Sequence, residues 1–163
     1  MLRITKQADY GIVLMTHFGS AIDGDFISAT DLALKTALPL PMVSKILKLL
    51  TKAGLLVSTR GATGGYALAK ASADIRLLEM ITVLEGPVAM TECSEDESHS
   101  CPIESSCRTR VNWKLINQVV HNALDGITLA QMISPAPACA TFDETIDMSV
   151  LISTPSQDSE TIR

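Results

Sequence analysis

A mainly α fold with a small β wing, built as a winged helix-turn-helix domain that carries a long dimerisation helix, is what three features of this 163-residue chain predict. Two helical segments with good cap residues flank a proline turn between residues 27 and 53. A glycine-rich hairpin, LLVSTRGATGGYALA, follows them directly, and from Arg108 to about Ile133 the chain runs without a proline. A hydrophobic content of 47% excludes disorder throughout and suffices for one domain, or one small domain with an appended helix and tail.

Thr5 is placed to cap a first helix through about Ser20, with Ala8, Ile12, Met15 and Gly19 near one stripe and Val13 and Leu14 widening it. Asp23-Gly24-Asp25 turns the chain. Ser28 then caps a short second helix to about Ala37, with Asp31 as the acidic member of a capping box and Ile27 and Leu32 as a hydrophobic staple. Pro39-Leu40-Pro41 ends it, since proline lacks an amide proton and biases its predecessor away from helix, and Pro41 suits the start of a third helix. That helix carries Val43, Ile46, Leu47 and Leu50 at helical spacing, Lys45, Lys48 and Lys52 on the other face, and Gly54 as its stop.

Two helices joined by a tight turn, the second with a basic face, form the pattern whose second helix enters the DNA major groove. A plain helical hairpin with solvated lysines fits the same residues. The hairpin that follows weighs against it: Leu55–Thr59 and Tyr66–Ala69 read as strands around the Arg60–Gly65 tip, which makes a wing. On this reading Lys45, Lys48 and Lys52 meet phosphates or guanine edges and Ser44 faces the bases. Arg60 probes the minor groove, and Gly64 and Gly65, with Tyr66 beside them, bring the wing backbone to phosphates. A phosphate-cradling enzyme loop is a poor rival, since no Walker-type Gly-Lys-Ser follows the glycines and the Gly-Gly pair leads into a strand instead of a helix.

The charge distribution agrees. The net charge is -5, yet residues 1–70 hold eight basic side chains against four acidic, and the acidic excess lies beyond them. No apolar run reaches the roughly 18 residues of a membrane span, and the N-terminus reads as an amphipathic helix start, so a cytoplasmic protein with no membrane partner is expected. Thiols stay reduced there.

Against that background stands CSEDESHSCPIESSC, residues 93–107. Three cysteines in a polar loop are poor core residues but good soft ligands. Cys93, Cys101 and Cys107 suit an iron-sulfur cluster or zinc, and unligated thiols or a disulfide with one spare remain the bland reading. A thiol enzyme is disfavoured, because there is no C-x-x-C pair and no evident base beside any cysteine.

The strings LRITKQADYGI, AGLLVSTRGATGGYALA and LEGP, together with the three-cysteine loop, resemble the winged-helix iron-sulfur transcription regulators. These include the Isc cluster-assembly and nitric-oxide-sensitive regulators, and the SUF-system cluster-assembly regulators are the most similar. The resemblance covers residues 1 to about 133 and implies a homodimeric regulator of cluster-assembly genes, a repressor of cytoplasmic location, whose DNA affinity follows a [2Fe-2S] or [4Fe-4S] cluster. It implies Cys93, Cys101 and Cys107 as ligands. In some relatives a histidine three residues beyond the last cysteine completes the set, but here that residue is Arg110, a permanent cation that cannot ligate. Other relatives use an acidic residue of the first helix reaching across the dimer, which maps to Asp9; a solvated residue or a Lys6 partner is the other reading of Asp9. Several relatives also have five residues between the first two cysteines where this chain has seven.

The resulting organisation is a winged domain over 1–90, a cluster loop over 91–109, a dimerisation helix over 110–133 and a flexible tail over 134–163. Val111, Leu115, Val119, Ala123 and Leu124, with Ile116 and Val120 alongside, supply the apolar stripe of that helix, which would be core packing if it were buried within one chain. Dimerisation would pair two recognition helices with a near-palindromic operator. Cys139 in the tail is a bystander, His99 in the loop is the other candidate for the fourth ligand but reads better as solvated, as do His17 and His121, and Trp113 and the methionines fill core or interface gaps. The rival class is a winged-helix regulator answering to a partner protein, a small molecule or thiol oxidation, without a cluster.

Overall fold

The structure, a computed structural model, describes residues 3–21, 25–61, 64–91, 101–103 and 106–134. Hydroxyl caps set the first helix starts. Thr5 accepts from the Ala8 amide at 3.3 Å and opens α1, Lys6–Gly19. Ser28 accepts from the Asp31 amide at 3.1 Å and opens α2, Ala29–Thr36, while its hydroxyl donates to Asp31 Oδ2 at 2.7 Å. The carboxylate thus grips the cap side chain, where a reciprocal box would grip the cap amide. α2 leaves the helix at Ala37, which adopts φ 55°, before either proline is reached. A left-handed alanine costs roughly 1 kcal/mol, and nothing in the residue type announces it.

α3, Leu40–Lys52, follows with Pro39 at its N-cap and Pro41 in its first turn. It ends in a Schellman motif: Gly54 takes φ 79°, the Leu55 amide donates to the Leu50 carbonyl at 3.0 Å, and the Gly54 amide donates to the Thr51 carbonyl at 3.1 Å. β1, Leu56–Thr59, and β2, Gly65–Leu68, then form an antiparallel pair with Leu56 opposite Leu68 and Thr59 opposite Gly65. The wing is tied back to the start of α2, because Ile27 and Tyr66 exchange two backbone hydrogen bonds of 2.9 Å. Gly65 is what permits that approach. A Cβ there would stand 2.7 Å from the Ile27 carbonyl, so Gly65→Ala is expected to cost about 1–3 kcal/mol, read as a lower denaturation midpoint.

The remaining elements close the core. α4, Leu77–Glu85, buries Leu77, Met80, Ile81 and Leu84, and Gly86 at φ 99° stops it. α1 lies against it at Gly11, where a side chain would collide with Leu84. That contact turns α1 so that Gly11 and Phe18 join Ala8, Leu14 and Met15 inside, whereas Val13, expected beside Leu14 in the stripe, is exposed. The Thr5 amide donates to Glu85 Oε1 at 2.5 Å and Gln7 Nε2 donates to the Leu84 carbonyl at 2.6 Å, fastening the two helices end to end.

The segment expected as one dimerisation helix over 110–133 is divided. α5 covers Arg110–Asp125, about 24 Å at 1.5 Å per residue, and stops at Gly126. The chain then bridges to the residues before α4, with the Leu77 amide donating to the Ile127 carbonyl and the Leu129 amide to the Ile75 carbonyl, both at 2.8 Å. Thr128 makes a full capping box with Gln131 and starts α6, Leu129–Ile133, whose Leu129 is fully buried. The end of the segment therefore belongs to the winged core. No buried side chain among the described residues is polar, and no described helix is long and apolar enough to cross a membrane.

Candidate nucleic-acid interface and cysteine site

α3 presents two opposed faces. Val43, Ile46, Leu47 and Leu50 are fully buried, and Lys45, Lys48 and Lys52 are exposed within a sector of about 60° on the far side. Ser44 lies at the margin, half-buried. Among the described residues the one salt bridge joins Lys70 to Glu79, so the three lysines are free to meet an external anion. Arg60 is exposed at the end of β1, in the turn toward Gly61, whose φ of 126° needs glycine. Gly64 and Gly65 are also required by packing. At both positions a Cβ would run into backbone, of Thr59 and Arg60 for the first and of Ile27 for the second. Their shape is fixed by packing within the wing, and Tyr66 serves as the strand partner of Ile27.

The cysteine loop is described only in part. Cys93 and His99 lie outside the described residues, as do Cys139 and the tail from 135 onward; Cys101 and Cys107 are half-buried and free of disulfides. Cys107 Sγ lies 3.3 Å from Thr109 Oγ1. This hydroxyl first, then the backbone amides of Thr109 and Arg110 and the Arg110 charge, hold the Cys107 thiol below its ordinary value against a contrary push from burial. The same contacts favour the thiolate, which is the form that binds metal. The two described thiols, free and accessible, therefore fit the soft donor set that an iron-sulfur cluster requires. No group of three potential ligands comes together among the described residues. Asp9 is exposed in the first turn of α1 and forms no ion pair with Lys6.

Both ends of the loop are fastened to α5. At its entry Asn117 Oδ1 accepts from the Met90 amide at 3.1 Å, and His121 Nε2 donates to the Val88 carbonyl. At its exit Cys107 precedes the helix by three residues. The expectation of a solvated His121 is thus corrected: the ring is half-buried against the 86–90 segment, a contact that depends on α4 and was invisible in the local sequence. Trp113, Val120 and Leu124 line the same side of α5, around a groove of about 490 Å³ shared with Ile4, Ile81 and Val88. Val111, Leu115, Ile116 and Val119 face outward instead, with Val111 76% and Leu115 53% exposed. The stripe read from the sequence is therefore split, and no α5 residue is buried.

Comparison with known proteins places these features among transcription regulators. The profile of the Rrf2 family, described as iron-dependent transcriptional regulators, matches residues 4–135. Protein rrf2 of Nitratidesulfovibrio vulgaris is 30% identical over 138 residues, which cover 85% of this chain and 91% of that relative. The structure of CymR, the global cysteine regulator of B. subtilis, superposes with a TM-score of 0.67 at 30% identity over 82% of this chain and 98% of its own. IscR of T. potens does so with a TM-score of 0.63 at 29% identity, over 81% and 86%.

Proposed function

The chain belongs to the Rrf2 family of winged-helix transcription regulators, and on that footing we propose that it is a homodimeric repressor of iron-sulfur cluster assembly genes. Its sensor would be a cluster held by Cys93, Cys101 and Cys107, with Asp9 of the second subunit as the fourth ligand. The observation that carries the reading is the pair of free thiols, Cys101 and Cys107, on a loop whose two ends are anchored to one helix. When bound, the cluster supplies metal-sulfur bonds whose presence depends on iron supply or redox state.

The chain's own residues do the rest. Asn117 and His121 hold the loop entry to α5, so a change in loop order reaches that helix directly. Val111, Leu115, Ile116 and Val119 give α5 an apolar face suited to the same face of a second copy. Rotation at that contact would move the two α3 helices relative to half-sites about 10 base pairs apart. The cluster can bias this equilibrium only by favouring one arrangement over the other. The test is the affinity of cluster-loaded and cluster-free protein for a near-palindromic duplex selected from a random pool. Different affinities support the reading, and equal ones contradict it.

At the DNA face, Lys45, Lys48 and Lys52 are phosphate or guanine contacts, Ser44 approaches bases and Arg60 enters the minor groove. Lys48→Ala is expected to weaken all sequences alike and to reduce the salt slope by about one; an unchanged slope counts against a phosphate contact. Arg60→Ala is expected to lose binding mainly on A/T-rich flanks. Equal loss on A/T-rich and G/C-rich flanks would make it another phosphate contact.

A further inference from the structure

We propose that Thr109 is a positioning residue for the ligand Cys107, and that its hydroxyl, by hydrogen bonding to that sulfur, raises the reduction potential of the cluster held there. The inference rests on the cluster reading above.

Its starting point is a cap that does not cap. Among the described residues four helices begin at a Ser or Thr N-cap, and at three of them, Thr5, Ser28 and Thr128, the side chain accepts an amide of its own first turn. Thr109 at the start of α5 is the exception: it makes no such bond, and its Oγ1 lies 3.3 Å from Cys107 Sγ instead. α5 is a full 16 residues long, so its first-turn amides have as much need of an acceptor as those of α1. The hydroxyl has been turned from the helix to the sulfur.

The direction of that bond follows from the chemistry of ligation. A free thiol can donate to the hydroxyl or accept from it. A ligating thiolate has no proton, so Thr109 must then be the donor. The residue is held where this works, since its carbonyl accepts from the Trp113 amide at 3.0 Å within the first turn of α5. The Arg110 amide donates to the Cys107 carbonyl at 3.5 Å, which holds the cysteine against the start of α5, the positive end of the helix. Donors to a ligating sulfur withdraw electron density from the metal centre and stabilise its more negative, reduced form, which raises the potential.

The test compares Thr109→Val, which keeps the shape and deletes the donor, with Thr109→Ser, which restores it. Iron and acid-labile sulfide per monomer are measured first in all three proteins, then the midpoint potential by anaerobic redox titration. The expected result is equal cluster content, a shift to more negative potential in the valine variant and return toward the wild-type value with serine. If valine holds no cluster while serine holds the full complement, the hydroxyl is needed for the sulfur to ligate at all, and the positioning role stands. A wild-type potential in the valine variant, or equal loss of cluster from both variants, overturns it. Wild-type protein without iron and sulfide overturns the cluster reading itself, and that is read before any potential is taken.

Discussion

Serine in place of Cys101 or Cys107 is expected to remove the cluster while leaving the winged domain folded. Both thiols are only half-buried and neither belongs to the hydrophobic core, so the substitution deletes a soft ligand without opening a cavity. With three cysteines in the loop, losing one leaves two thiolates, too few to hold a cluster firmly. The measurement is iron and sulfide per monomer after anaerobic reconstitution, with the far-ultraviolet circular dichroism spectrum as control. A near-complete loss of both elements with an unchanged spectrum is predicted. If the serine variants match wild type in metal, the thiols are not ligands, and a regulator answering to thiol oxidation or a partner takes precedence.

The second large effect concerns α5. Leu115→Glu with Val119→Glu places two carboxylates one turn apart in the middle of the outward apolar face, where like charges from both subunits would meet. These side chains are exposed in the single chain, so its own stability should change by no more than about 0.5 kcal/mol. A dimer built on that face should dissociate. Sedimentation velocity is expected to show a monomer, and affinity for a two-half-site duplex should fall between about 100- and 10,000-fold as the second binding event ceases to be intramolecular. A variant that remains dimeric would move the interface elsewhere.

Much of the winged domain was legible in the sequence because its signals are local. Thr5 and Ser28 bond as their positions suggest, and Gly54 ends α3 by the left-handed turn that only glycine takes cheaply. The opposed lysine and apolar faces of α3 are equally a matter of spacing. What escaped depends on contacts between distant residues. α4 carries a local signal in the helical spacing of Leu77, Met80, Ile81 and Leu84, but its place beside Gly11 of α1 is set by packing alone. The orientation of α1, set by Leu84 against Gly11, has no local signal, whereas the break after Asp125 has one in Gly126 and the Thr128-Gln131 capping box, and only its pairing with residues 75–77 depends on distant contacts. At the site, the cysteines were evident from composition, whereas the roles of Asn117, His121 and Thr109 required knowing what lies opposite them. At Gly65 a long-range contact adds a second reason for glycine beside the expected approach to phosphates, since a Cβ there would meet the Ile27 backbone.

The central claim, that this regulator of the Rrf2 family senses through a thiolate-held cluster, is tested most directly by purifying the protein without oxygen and recording its visible spectrum together with iron and acid-labile sulfide per monomer. Broad absorption between roughly 320 and 460 nm with matched iron and sulfide is the predicted result. A colourless protein holding zinc or no metal, even after reconstitution, would contradict it.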